Sequence, residues 1–135
     1  MPEGAPFFKA FPDICVSLSH SGIYTGAALA KRSNTRMGID IEALGPRPDK
    51  FFLNTAFTSR EIQDMGKAPL DIFCRWTLKE AYLKYIRKGF NKSLLEVEVL
   101  QNKIFDQGRD QNLDCRSWEL AHDFILSMVS GKNHL

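Results

Sequence analysis

The chain has 135 residues, 44% hydrophobic, 25% charged and 11% aromatic, with a formal net charge of +2. This is the composition of one folded domain with a core of its own. It excludes a disordered chain, a strongly basic nucleic-acid binder and a bilayer-spanning protein, since no apolar run approaches about 20 residues.

The front of the chain reads as strands. Ile14, Val16 and Leu18 alternate with Cys15, Ser17 and Ser19, the period-2 pattern of a half-buried strand. Ser21-Gly22 breaks the run, Ile23 to Ala30 is extended again, Lys31 to Thr35 is a polar turn, and Met37 to Ile41 resumes the alternation. Together these predict an antiparallel meander. Pro46 and Pro48 then mark a loop, and Asp49 caps a short helix through Phe57. Thr58-Ser59-Arg60-Glu61 has the form of a capping box, and Gly66 to Pro69 ends the helix it opens. Asp71 begins the longest helix, which reaches about Lys88 and stops at Gly89, with Ile72, Trp76 and Leu83 as its buried stripe.

The back returns to strands. Leu94 to Leu100 alternates, and Ser117 to Ala121 with Phe124 to Val129 forms a closing hairpin. Strands, helices, then strands predict an α+β fold: one domain over residues 1–135, an antiparallel sheet with helices packed on one face. The last four residues are expected to fray. Met1 to Pro6 lacks the basic and apolar run of a signal peptide. Cys15, Cys74 and Cys115 form no CxxC pair, so reduced thiols in a cytoplasmic protein are expected.

Three groups of residues can carry chemistry. Asp40 and Glu42 stand two apart near a strand end and so share one face. They are either two solvated acids or a site for a hard cation such as Mg²⁺, which favours carboxylates, water and phosphate oxygens. Glu80 and Lys84 are one helical turn apart, either a surface ion pair or, with Glu80 at the edge of the apolar stripe, part of a site. His20 lies between hydroxyls in Ser19-His20-Ser21-Gly22, either a turn residue or a phosphate contact. No phosphate-cradling glycine loop is present, which sets aside a general nucleotide-binding or phosphohydrolase domain.

The order of these groups is more telling than any one of them. Gly38-Ile39-Asp40-Ile41-Glu42 is followed, after 33 intervening residues, by Trp76-Thr77-Leu78-Lys79-Glu80-Ala81-Tyr82-Leu83-Lys84. The pair resembles the two signature motifs of the 4′-phosphopantetheinyl transferases. Ser17-Leu18-Ser19-His20-Ser21-Gly22 resembles the strand end of that family, Phe57-Thr58-Ser59-Arg60-Glu61 its F-(S/T)-x-x-E element, and Gly4-Ala5-Pro6 the opening of the block.

The resemblance implies transfer of the phosphopantetheine arm of coenzyme A to a serine of an apo acyl or peptidyl carrier protein, with adenosine 3′,5′-bisphosphate released. It assigns Asp40, Glu42 and Glu80 to Mg²⁺, with Glu80 also the catalytic base. Lys84, Ser19 and His20 go to the coenzyme A phosphates, with Lys84 also catalytic beside Glu80, and Arg60, Arg75, Lys79 and Arg87 to an acidic carrier helix. The Asp-x-Glu and Ser-His-Ser forms resemble the second lobe of the larger two-lobed type, while the length is that of the smaller holo-acyl-carrier-protein synthase type. A single-lobe homo-oligomer, dimer or trimer, is therefore expected, with no nucleic-acid or membrane partner. The alternatives are a relative that binds coenzyme A or a carrier without transfer, and half of a two-lobed enzyme.

Overall fold

The computed structural model describes residues 7–8, 11–30, 35–86 and 92–132. The expectations on Gly4-Ala5-Pro6, on most of the Lys31–Thr35 turn, on Arg87, Lys88 and Gly89 and on the chain's last residues lie outside them, as does the Cys15 side chain. Strands β1 (Phe7–Phe8), β2 (Phe11–Ser21), β3 (Tyr24–Ala30) and β4 (Thr35–Ala43) come first, then helices α1 (Lys50–Ala56), α2 (Ser59–Asp64) and α3 (Pro69–Ile86). Five strands close the chain: β5 (Val97–Leu100), β6 (Lys103–Asp106), β7 (Arg109–Asp110), β8 (Asp114–Leu120) and β9 (Phe124–Lys132). The fold is α+β, and its described strands are all antiparallel, in three sheets ordered β1-β2-β3, β4-β9-β8 and β5-β6-β7.

The meander expected at the front is therefore broken at β4. Instead of continuing from β3, β4 pairs along its whole length with β9, Thr35 opposite Lys132 through Ala43 opposite Phe124. Its other edge is closed by side chains rather than a ladder. The Ile39 and Ile41 amides donate to the Ser17 and Ser19 hydroxyls of β2, both at 2.9 Å. Two buried serines thus satisfy backbone donors that would otherwise be stranded. Alternation in the sequence marks β4 as a strand but does not name its partner.

Helix starts follow local chemistry. The Asp49 side chain accepts from the Phe52 amide to cap α1, and Thr58 and Glu61 form the reciprocal capping box of α2. α3 begins at Pro69, earlier than expected, because proline suits a first helical turn. Asp71 lies inside that turn and accepts from the Gly66 amide at 2.6 Å. The buried stripe also differs from expectation. Ile72, Thr77, Leu78, Lys79, Ala81, Tyr82 and Tyr85 are buried, whereas Trp76 and Leu83 are only half-buried.

α3 is covered on two sides, so its buried arc is wide. Leu78, Ala81, Tyr82 and Tyr85 join Val97, Val99, Ile104 and Val129 in one core cluster. Ile72 joins Leu53, Ala56 and Phe57 in the other, with Trp76 at its margin.

The return strands are partly as expected. β8 and β9 form the closing hairpin, Leu120 opposite Phe124. Leu94–Glu96 is a 3₁₀ turn rather than strand, and Leu95 is exposed; the inward alternation begins at Val97 and Val99. The β5-β6-β7 sheet was not anticipated. Its first turn, Gln101-Asn102, holds both residues at positive φ (50° and 60°), the geometry of a tight hairpin. Among the described residues no helix is long and apolar enough to cross a membrane.

Candidate active site

The site is built where α3 crosses β4, and Gly38 permits the crossing. A Cβ there would collide with the Ala81 carbonyl oxygen and stand 2.6 Å from the Tyr85 nitrogen. Without one, the helix backbone rests on the strand. Asp40 and Glu42 on β4 then come beside Glu80 and Lys84 on α3. Lys84 Nζ lies 3.4 Å from Asp40 Oδ1 and donates to the Leu18 carbonyl at 3.2 Å.

Asp40 is the most constrained of these groups. It is 6% exposed. Its Oδ1 meets Lys84 and, at 3.4 Å, the Ser19 hydroxyl, while its Oδ2 is buried with no hydrogen-bond partner. Burial pushes its carboxyl up to about 7, helped by Glu42 and Glu80 and opposed by Lys84. Burial likewise raises Glu80, then Glu42 adds to it, while Lys84 and Lys79 pull the other way. Acids crowded this way disfavour simultaneous ionisation unless a cation joins them.

On β2 the side chains alternate, but the buried face carries Ser17 and Ser19 rather than Leu18, the reverse of what the apolar pattern pointed to, and this separates two residues assigned together. Ser17 and Ser19 are buried and face β4, while Leu18 and His20 are exposed on the opposite face. The Ser19 hydroxyl accepts from Ile41 N and reaches Asp40, so it points into the fold rather than toward solvent beside His20.

Lys79 corrects a second expectation. It is not a surface contact for a carrier helix: it is 0% exposed. Its ammonium donates to Glu61 Oε1 at 2.6 Å, Ala56 O at 2.7 Å and Leu94 O at 3.1 Å, and sits over the Phe57 ring. Glu61, also buried, accepts from the Thr58 and Val99 amides. One ion pair therefore joins α1, α2, α3 and β5. Arg75 is likewise engaged, with Asp64, Asp71 and the Val99 carbonyl. Arg60 is exposed, 3.6 Å from Glu98.

Two further roles escaped the sequence reading. Thr77 Oγ1 lies 2.6 Å from Ser127 Oγ, which is 2.8 Å from Ser117 Oγ, a hydroxyl chain tying α3 to β9 and β8. Ser17 caps the β4 edge. No signal in the sequence marked either: the alternation of β2 puts Ser17 on the polar face, and Thr77 lies off the Ile72, Trp76 and Leu83 stripe.

A divalent ion can be tested against these residues. The donor set is hard carboxylate oxygen, suited to Mg²⁺, and Asp40 Oδ2 is an orphaned buried acceptor. Among the described residues no three His, Cys, Asp or Glu side chains already converge on one metal position. The chemistry fits, with the carboxylates adjacent but not drawn together.

The family model of the 4′-phosphopantetheinyl transferase superfamily matches residues 36–129. Among curated proteins, the 4′-phosphopantetheinyl transferase psf-1 of Bacillus pumilus is 31% identical over 97 residues, covering 68% of this chain and 40% of the relative. The L-aminoadipate-semialdehyde dehydrogenase-phosphopantetheinyl transferase of Xenopus laevis is 34% identical, covering 72% and 38%. The 4′-phosphopantetheinyl transferase gsp of Aneurinibacillus migulanus is 27% identical, covering 94% and 55%. The chain thus spans about half the length of the curated relatives it matches.

Proposed function

Because this chain belongs to the 4′-phosphopantetheinyl transferase superfamily, we propose that it moves the phosphopantetheine arm of coenzyme A onto a serine of an apo acyl or peptidyl carrier protein. The serine oxygen bonds to the phosphorus that carries the arm, the pyrophosphate bridge breaks, and adenosine 3′,5′-bisphosphate leaves. The observation that carries this reading is the junction of Asp40, Glu80 and Lys84 at the β4–α3 crossing, with Asp40 Oδ2 buried and unpartnered.

Asp40, Glu42 and Glu80 are the residues that would hold Mg²⁺, which when bound neutralises charge on the pyrophosphate. Glu80 takes the proton of the attacking hydroxyl; burial and Glu42 raise its proton affinity, as a base working near neutral pH requires. Lys84 meets charge that grows on the leaving phosphate. His20, exposed at the end of β2, binds phosphate that is already charged in free coenzyme A. Two free thiols, Cys74 and Cys115, both raised by burial and the latter to about 11, suit a reducing cytoplasmic compartment. The working unit in this reading is a homo-oligomer.

The test is the mass of one apo carrier protein incubated with this chain, with and without coenzyme A and Mg²⁺. A gain equal to the phosphopantetheine arm only when both are present is the expected result. The second reading is a protein that binds coenzyme A or a carrier without transfer. Coenzyme A binding with no gain in carrier mass would establish that one instead.

A further inference from the structure

Ser19 sits between β4 and Asp40 in a way that decides which carboxylate oxygen is free. Its hydroxyl has one proton and two lone pairs. A lone pair is used by the Ile41 amide at 2.9 Å, which fixes the oxygen against β4. The proton is then available to the acceptor beside it, Asp40 Oδ1, at 3.4 Å. Lys84 Nζ approaches the same Oδ1, also at 3.4 Å. Both donors, the Ser19 hydroxyl and the Lys84 ammonium, thus fall on one oxygen, and Oδ2 is left buried without a donor, in a carboxyl that also neighbours Glu42.

Ser17 provides an internal comparison. It is buried like Ser19 and caps Ile39 with the same 2.9 Å bond, two residues earlier on the same strand. Among the described residues no hydrogen bond links it to a carboxylate of the site.

We propose that Ser19 is a positioning residue: pinned to the β4 backbone and turned onto Asp40 Oδ1, it presents Oδ2 as the oxygen offered to a divalent ion. This rests on the reading of Asp40 as a metal ligand. It gives the Ser19 hydroxyl an inward role. Outer-shell partners of metal ligands typically change metal affinity by about 10–100-fold when removed.

The experiment is a titration of the full chain with Mn²⁺ alone, free ion counted by electron paramagnetic resonance, on the wild type, Ser19→Ala and Ser17→Ala. Thermal unfolding runs in parallel. Both variants lose a strand-capping bond, so both should lose stability alike. Only Ser19→Ala should bind Mn²⁺ more weakly, by about tenfold or more.

A second pair, Ser19→Thr and Ser19→Val, differs in the hydroxyl at nearly equal volume and covers the case in which Ser19→Ala does not fold. Threonine should keep the affinity and valine lose it. Equal Mn²⁺ affinity in Ser19→Ala and Ser17→Ala, or in the Thr and Val pair, overturns the positioning role alone. A wild type that binds no Mn²⁺ overturns it together with the metal reading.

Discussion

At the scale of single residues, Asp40 bears the strain of the site. An acid whose folded value lies above its unfolded value keeps its proton longer in the native state. With Asp40 raised from 3.8 to about 7, the native chain binds more protons than the unfolded chain between those values. Stability from this group therefore falls as pH rises through that window, and the full penalty is present above it. Asp40→Asn removes the charge at nearly constant volume. Without divalent ions it should stabilise the protein at pH 8 by on the order of 2 kcal/mol, and less at pH 5. Urea unfolding of both proteins at the two pH values measures this; a gain that does not grow with pH contradicts it. The same variant should lose transfer, as should Glu80→Ala.

Lys84 and His20 divide differently. A contact made equally in ground and transition states affects the Michaelis constant and spares turnover. His20→Ala should do that. Lys84→Ala should also lower kcat, by roughly the 2.7–4 kcal/mol typical of losing a preorganised charge stabiliser. Steady-state kinetics with coenzyme A varied at saturating carrier protein separates the two, and equal effects on affinity alone would reduce Lys84 to a binding residue.

At the scale of elements, two contacts hold α3 in register with β4 and the small helices. Gly38→Ala forces a methyl group into the helix backbone, where nothing flexible can give way. The loss of stability should reach the upper end of the roughly 1–3 kcal/mol typical of overpacking. Transfer should fall further than stability explains, because Glu80 and Lys84 move away from Asp40; normal kcat in the Gly38→Ala protein would show that the close approach is dispensable. Lys79→Met leaves the Glu61 carboxylate buried without its cation, a change that typically costs about 3–5 kcal/mol. Chemical denaturation reads it directly, and a neutral result would mean that Glu61 finds another donor.

The same elements show what a sequence can disclose. Caps at Asp49 and Thr58 and the β8–β9 hairpin were legible because their chemistry is local. The partner of β4 was not, because period-2 alternation fixes a face and leaves the neighbour open. The stripe of α3 was misplaced because a helix packed on two sides has no single apolar face. At the site, Asp40, Glu80 and Lys84 were legible through motif order, whereas the inward turn of Ser19 and the burial of Lys79 depend on partners 21 and 18 residues away.

At the scale of the whole molecule, the open question is what covers the β2–β3 sheet. Leu18, His20, Thr25 and Ala27 are exposed there, as cross-strand pairs Leu18–Ala27 and His20–Thr25. Ile23 at the turn is 90% exposed and Leu18 50%. Apolar side chains at the end of a strand that carries a proposed coenzyme A contact are poorly placed for open water. A second copy of this chain across that face would bury them and bring its own surface up to His20, in keeping with the closed symmetry that most self-associating proteins adopt. Light scattering should therefore give a mass that is a small multiple of 15.4 kDa. Leu18→Lys with Ile23→Lys should return the protein to a monomer without unfolding it, since both side chains are already exposed. Transfer should fall with dilution in the wild type and be weak at all concentrations in the double variant. A clean monomer, with and without coenzyme A, would mean that the sheet face is covered by some other chain or left bare.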